Sequence, residues 1–418
     1  MNIIPTSTTS FEVIVNNFIN QGKISTLEAL GKLLERIDKL LYSQKQPFEK
    51  VIKIKERTIQ TSIGMLRFKR RYYYDELEHK YRFLLDAYLN IPRRNRLMDN
   101  VKIKIIEAAS EMSYEKAGRY ACEEGLPVSK ATVCRLIRNT EFFIEDNNSL
   151  IINDSKVHVQ IDEKFINVIG SANKKKLYTC TIFKGVIPKG KKKVLQNRTL
   201  ISSKNLNLFF EKINKSLFEK YHIKLDDEIY VSGDLASYIQ KSPEKILVCK
   251  AIYVPDKFHV LKAIKDSLGL KTNKYLINDE ACQKLIIDSL KGINDVDASK
   301  IRTLLSKNPE SLTHYLDYEY DGCSQECMNS HYFCSRFDKV PNIWRFDTIE
   351  KLSQVICSKQ NRSVVKIGWK DKYYKMPYDT IEPINVEKEY RNGLDEMNLP
   401  HHMRRFFYRL EDGWDIIP

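Results

Sequence analysis

The sequence predicts a mixed α/β protein in which a mostly helical region is followed by a domain of alternating strands and helices around a mixed sheet. Three observations predict it. Apolar stripes of helical period mark residues 1–56 and 100–140. From residue 155, β-branched runs of period two alternate with helical stripes. Acids close two of those runs, Asp162 after Val157, Val159 and Ile161, and Asp234 after Gly233. An Asp is disfavoured in a β-branched run, so its presence asks for a reason. A metal site is one reason and a strand-end aspartate facing water is the other, and VHVQIDEKFINVI (157–169) alone does not separate them.

Composition narrows the function classes. The chain of 418 residues, 42% hydrophobic and 11% aromatic, has room for two or three domains with real cores and is not a disordered polymer. Its net charge of +15 points to a polyanionic partner, nucleic acid before an anionic membrane surface. No apolar run approaches the roughly 20 residues that span a bilayer, so no membrane partner is expected. MNIIPTSTTS has no charged segment followed by an apolar one, so no signal peptide is expected and the location is read as cytoplasmic. Nine Cys, an odd number lying mostly in apolar-periodic segments, suit reduced thiols better than a disulfide framework.

In chain order, residues 1–56 read as helices. Ser25 and Glu28 make a capping box ahead of Leu27, Leu30, Leu33, Leu34, Ile37, Leu40 and Leu41, a stripe that suits an oligomerisation helix or packing on its own domain. Residues 57–99 open with a strand pair around Gly64 and interleave Arg67, Lys69, Arg70 and Arg71 with Tyr72, Tyr73 and Tyr74, a pattern for phosphate contacts plus stacking or for a solvated basic face. Residues 100–149 read as a helix-turn-helix and linker. One helix spans 113–124, Gly125-Leu126-Pro127 breaks it, and Ser129 caps a second helix whose Lys130, Thr132, Arg135 and Arg138 lie opposite its apolar face, as on a recognition helix. Glu141–Ser149 reads as the linker.

Residues 150–345 form the mixed domain. Strands are expected at 157–169, 177–186 and 198–203, with a basic hairpin (Lys189, Lys191, Lys192, Lys193) before the third. A helix at 205–221, a strand at 228–232 and a strand at 246–254 follow. This order matches a ribonuclease-H-like sheet, in which the first and fourth strands are neighbours and Asp162 and Asp234 meet. Pro255-Asp256 caps a helix that Gly269 stops, 270–320 reads as a helical insertion, and 322–337 as a helix with Glu326 in its first turn. Residues 346–418 are a basic, aromatic C-terminal region.

Several stretches resemble, in order, one known family. RTIQTSIGMLRFKRRYYYD, YRFLLDAYLNIPRRNR, SYEKAGRYACEEGLPVSKATV, VQIDEKF, SGDLASYI, PDKFHVLKAI and GCSQECMNSHYFCSRFDKVPNIW are similar to segments of bacterial insertion-sequence transposases, a group related to the Mutator-like transposases and long grouped as an uncharacterised protein family. The resemblance covers about residues 57–345. It implies a ribonuclease-H-like core with catalytic acids Asp162, Asp234 and Glu326, and a supporting set of Asp256, His259, His331 and Arg336. It also implies double-stranded DNA, as element ends and as target, for the partner, and a bacterial, nucleoid-associated location. One departure is that Leu235 and Tyr238 stand where the family tends to have Gly and Trp, which bears on backbone approach at the second Asp.

Phosphodiester exchange needs an in-line oxygen nucleophile and neutralised charge at both attacking and leaving oxygens. Two Mg²⁺, for which Mn²⁺ substitutes, would supply this, and hard cations prefer carboxylate oxygens. Asp162 is expected to bridge the ions, Asp234 and Glu326 to hold one each. A DNA transposase is then the expected function, working as a homodimer or larger assembly because two ends are cut together. A non-catalytic DNA-binding descendant and a nuclease without strand transfer are the alternatives. Cys323, Cys327, His331 and Cys334 are zinc-type ligands, but one continuous helix wraps four ligands poorly around an ion, so buried thiols are the preferred reading.

Overall fold

The computed structural model describes residues 11–122, 125–145, 156–190, 192–269, 280–307, 312–314, 322–339, 343–369, 373–375, 383–385, 388–389 and 392. The chain divides into two compact units, one of residues 1–108, 114–136 and 369–418, the other of 109–113 and 137–368.

In the first unit, helix α1 (Phe11–Ser43) lies on an antiparallel sheet of β1 (Glu49–Thr61), β2 (Gly64–Asp75) and β3 (Lys80–Arg82). Leu33, Ile37 and Leu41 enter one core with Ile59, Leu66, Phe68 and Tyr73, so the leucine stripe is used within its own unit. A Cβ on Gly31 would lie 2.6 Å from the Arg67 carbonyl oxygen, which is how closely helix and strand approach. Two expectations are corrected here. Ser25 is interior to α1 rather than a cap, and residues 49–56 are strand, because Glu49–Thr61 pairs along its length with β2, with one register shift between Val51 and Lys53. A short apolar run does not distinguish the two periods without its partner.

Helices α2 (Leu84–Tyr88), α3 (Asp99–Ala109), α4 (Tyr114–Tyr120) and α5 (Lys130–Asn139) follow. Gly118 lets α4 meet the approach to α5, since a Cβ there would lie 2.1 Å from the Val128 carbonyl oxygen. Ser129 Oγ accepts from the Thr132 amide at 3.3 Å, as expected of a cap. The connection from Ala121 to Ser129 is longer than the 3–4 residues typical of a DNA-binding helix-turn-helix.

The second unit is built on a sheet of β5 (Val157–Val168), β6 (Lys175–Lys184), β9 (Thr199–Ser203), β10 (Glu228–Gly233) and β11 (Lys250–Pro255). Their order across the sheet is β11-β10-β5-β6-β9. Strands β5, β10 and β11 run parallel, and β6 is antiparallel to β5 and to β9. The domain's first and fourth strands are therefore neighbours. Between β6 and β9 lies the hairpin β7 (Val186–Lys189) and β8 (Lys192–Leu195). Helix α6 (Leu206–Glu219), capped by Asn205, contributes Phe209, Ile213 and Leu217 to the core with Val159, Ile161 and Val231. After α7 (Ser237–Gln240), α8 (Lys257–Leu268) starts on the Asp256 cap and ends at Gly269 in the left-handed region (φ 66°). The insertion supplies α9 (Glu280–Leu290) and α10 (Val296–Lys307), which share that core through Leu290, Ile301 and Leu304.

The 322–337 stretch is α11 (Gln325–Met328), a π-helical segment Asn329–Cys334 and α12 (Ser335–Phe337). Short β12 (Ile343–Trp344) pairs in parallel with the end of β5, α13 (Phe346–Asn361) packs on β9, and β13 (Val364–Trp369) pairs with β4 (Thr140–Glu145). That last pairing corrects the linker expected at 141–149: residues 140–145 are a strand, and 146–149 lie outside the described residues. The strand expected at 246–254 starts only at Lys250, after a 3-10 turn at Ser242–Lys245.

Candidate active site

Strand register assembles the acids. Gly233 pairs with Ile161 on one side and Pro255 on the other. One residue further along each parallel strand stand Asp162, Asp234 and Asp256, at one level: Asp234 and Asp256 just past the carboxyl ends of β10 and β11, and Asp162 midway along the longer β5. A sheet presents ligand sites at this end. The fit depends on Gly233, where a Cβ would lie 2.4 Å from the Ile161 carbonyl oxygen.

Each aspartate is fixed by its neighbours. Asp162 accepts from the Glu163 amide (2.7 Å) and from Asn329 Nδ2 (2.7 Å). Asp234 Oδ1 accepts from the Ala236 amide (2.8 Å), and its carbonyl takes the Tyr253 hydroxyl (2.7 Å). Asp256 caps α8 through the Phe258 amide (2.8 Å), and its own amide donates to the Gly233 carbonyl (2.7 Å). Burial, with the charges of Asp234 and Glu326 adding to it, pushes the Asp162 carboxyl from 3.8 up to about 6. Burial raises Asp256 as well, with His259 opposing and Glu326 and Asp234 reinforcing the shift.

Glu326 arrives from α11. Gln160 on β5 holds the approach, donating to the Gly322 carbonyl (2.7 Å) and accepting from the Ser324 amide (3.0 Å). Glu326 is 67% exposed and meets His259 Nε2 at 3.1 Å. Three residues on, the buried Asn329 points to Asp162 and accepts from Thr179 Oγ1 (2.8 Å), which in turn receives Gln325 Nε2 (3.2 Å). The π-turn begins at this Asn, and such turns recur where a helix must aim side chains.

The structure thus gathers Asp162, Asp234, Glu326, Asp256 and His259. It does not bring the other two supporting candidates to them. His331 is exposed on the π-helical segment. Arg336 is buried, donates to the Ala109 carbonyl (2.7 Å) and lies over the Trp344 ring (4.3 Å). The four zinc-type residues also separate. Cys323 lies beside the acids, its thiol pushed well up by burial, whereas Cys334 lies beside Lys164 and Asp338. Among the described residues no group of three or more His, Cys, Asp or Glu side chains converges as a ready metal cluster. Sequence reasoning misses Asn329, although its i+3 offset from Glu326 puts it on the same helix face.

Among the basic candidates, Arg67, Lys69, Lys130, Arg135 and Arg138 are exposed and Thr132 is half-buried. Arg138 pairs with Asp347 (3.1 Å). Two are committed inside the fold. Arg70 is buried on Asp86 (2.8 Å), and the half-buried Arg71 is held by Asp38 (2.6 Å), because carboxylates of neighbouring helices lie against this part of β2. Lys191 and the side chains of Lys192 and Lys193 lie outside the described residues.

Residues 6–372 match the family model described as "Uncharacterised protein family (UPF0236)". Curated relatives are UPF0236 proteins of Caldanaerobacter subterraneus subsp. tengcongensis. One is 27% identical over 368 residues, covering 82% of this chain and 76% of the relative, and its name joins eleven designations. Two more are 26% identical, one over 366 residues (82% and 77% of the two chains) and one over 365 (82% and 72%). No helix among the described residues is long and apolar enough to cross a membrane.

Proposed function

We propose that this chain, which belongs to the uncharacterised protein family UPF0236, is the DNA transposase of an insertion sequence. In this reading it binds the terminal inverted repeats and cuts and joins DNA through Asp162, Asp234 and Glu326. The observation that carries the proposal is the approach of three acids from three separate elements, Asp162 and Asp234 set at one level by the strand register and Glu326 near enough that its charge, with that of Asp234, adds to the burial that raises Asp162 to about 6, short of a closed metal cluster. Folds avoid gathering like charges without a compensating cation, and such sites are where function concentrates. The sheet order, with Asp162 on its first strand level with Asp234 just past the end of the adjacent fourth strand, supports a ribonuclease-H-like core. A relative whose name joins eleven designations from one organism is what a gene present in many copies would give, and a self-mobilising element produces such copies.

The donors fit Mg²⁺ in kind: hard carboxylate oxygens, with the neighbouring Cys323 kept as a protonated thiol by burial. Asp162, Asp234 and Glu326 would hold the ions, which when bound supply charge neutralisation at the attacking and leaving oxygens. The chain's own residues do the positioning. Asn329 and the Glu163 amide orient Asp162, Asp256 anchors the start of α8, and His259 on that helix engages Glu326. Two exchanges follow, each making one P–O bond as another breaks. Water frees a 3′-OH at the element end, and that 3′-OH attacks a target phosphodiester. Two ends handled together call for a dimer or larger assembly on DNA.

The test is a Mg²⁺-dependent cleavage and joining assay on duplexes carrying the ends that flank the gene, with Asp162→Asn beside the wild type. Cutting and joining by the wild type alone is the expected result. Cut but unjoined products would leave a nuclease, and binding without cutting by either protein would leave a DNA-binding descendant.

A further inference from the structure

The first unit contains an open groove of about 930 Å³, lined by seven Lys or Arg side chains against two carboxylates. Its charge is presented on a fixed floor. Asp86, wholly buried, takes Arg57 Nη1 at 2.5 Å and Arg70 Nε at 2.8 Å. Arg57 Nη2 then donates to the carbonyls of Pro92 (2.7 Å) and Asn95 (2.9 Å), so one buried guanidinium clamps the turn that carries Arg93, Arg94 and Arg96. Backbone bonds from Gln60 to the Arg96 carbonyl (2.8 Å) and from Met98 to the Gln60 carbonyl (3.0 Å) tie the same turn to β1. Arg94 adopts the left-handed region (φ 58°), a conformation kept where surrounding contacts enforce it.

The rim is cationic and available. Arg67, Arg93, Arg94 and Arg96 are exposed, and among the described residues no carboxylate pairs with any of them. The opposite wall is the segment leading into α5, where Ser129 and Thr132 line the groove and helix-start amides add positive potential. The groove's aromatic rings are already covered: Lys55 lies over Tyr72 at 3.9 Å and Arg93 over Tyr374 at 4.5 Å. A surface built for unpaired bases leaves such rings bare for stacking. Cationic rims with covered rings suit phosphates.

We propose that this groove seats the phosphodiester backbone of duplex DNA, with Arg93, Arg94 and Arg96 as the main phosphate contacts and Arg67 beside them. The proposal rests on the transposase reading for the identity of the polyanion. It adds Arg93, Arg94 and Arg96 to the lining residues Arg67, Tyr72 and Thr132 that the sequence already marks, and the sequence signal for the three is the RRNR cluster after Pro92.

The test uses the full chain, a labelled 30-base-pair duplex and the matching single strand, with affinity followed by fluorescence anisotropy between 50 and 200 mM salt. The Arg93→Gln/Arg94→Gln/Arg96→Gln variant should flatten the slope of log K against log salt by about 2 to 3, at about 0.9 for each phosphate that the variant no longer neutralises. A charge-matched control on exposed lysines, Lys224→Gln/Lys241→Gln/Lys245→Gln, should change the slope by less than one. The three arginines are exposed, so an unchanged melting temperature checks that the variant is folded. Equal slopes for wild type and groove variant, equal losses in variant and control, or tighter binding to the single strand than to the duplex each overturn the groove assignment while leaving the acids' chemistry to the cleavage assay. A wild type that binds no duplex at all overturns the groove and the transposase reading together.

Discussion

Asp162→Asn should stabilise the metal-free protein above neutral pH, although it replaces a carboxylate that accepts two hydrogen bonds. Burial first, then Asp234 and Glu326, raise this carboxyl from 3.8 to about 6. At about 1.4 kcal/mol per pH unit, keeping it ionised costs at most roughly 3 kcal/mol. The folded form holds the proton more tightly than the unfolded chain does. The penalty is therefore absent below about pH 4, grows as pH rises toward 6, and is complete above it. An amide escapes the penalty but meets Asn329 Nδ2, now donor against donor, unless one amide turns over and breaks either the Glu163 or the Thr179 bond; that costs about 1 kcal/mol. The net expectation is a variant more stable than wild type by about 1–2 kcal/mol at pH 8 and slightly less stable at pH 4. Urea denaturation with EDTA across that range reads the difference, since titrating groups that do not interact with Asp162 cancel between the two proteins. Saturating Mg²⁺ should then stabilise wild type and not the variant. A difference independent of pH, or one that favours the variant more as pH falls, would refute the assignment of Asp162 as a half-buried carboxylate that is costly to ionise.

Three further outcomes follow from the same geometry. Asn329→Ala removes the donor to Asp162 and the acceptor for Thr179, both buried, and should cost about 1–3 kcal/mol in denaturant and raise the Mg²⁺ concentration needed for half-maximal cleavage. Asp86→Asn leaves Arg57 and Arg70 buried without their counter-charge, and should cost about 3–5 kcal/mol with a matching fall in melting temperature. Gly233→Ala sets a methyl 2.4 Å from the Ile161 carbonyl oxygen and 2.8 Å from Ile239, so β10 must move from β5. Stability should fall by about 1–3 kcal/mol, and cleavage should drop further than folding does because Asp234 moves with the strand.

Much of the second unit is legible in the sequence because its signals are local. Val157, Val159 and Ile161 alternate up to Asp162, Gly233 precedes Asp234, Asp256 caps α8 and Gly269 stops it, and each of these reports on a few adjacent residues. What does not show depends on distant partners. Residues 49–56 are strand because β2 lies beside them, and 140–145 are strand because 364–369 pair with them. Arg70 reads as a surface cation because its partner Asp86 is sixteen residues away on another element. Charge in a sequence identifies the ion, whereas burial and pairing decide whether it is left for a ligand.

The two departures from the family pattern illustrate the same distinction at the acid itself. A Gly after the second Asp would be required if the backbone there were left-handed, but Leu235 does not have a positive φ, so any L-residue is accommodated. Its side chain is buried in the core, and its carbonyl accepts from Gln240 Nε2 (2.9 Å). Tyr238 sits edge-on to Tyr178 with ring centroids 5.3 Å apart, and burial, with the charges of Glu163, Asp234 and Asp162 adding to it, keeps its phenol protonated. The orientation of Asp234 is set by the Ala236 amide and the Tyr253 hydroxyl, neither of which belongs to Leu235 or Tyr238. The close approach of the two acid-bearing strands rests on Gly233, which precedes both replacements and is present. Both replacements therefore act on the packing beneath the acids, and the carboxylate geometry on which the proposed chemistry depends does not require Gly or Trp at either position.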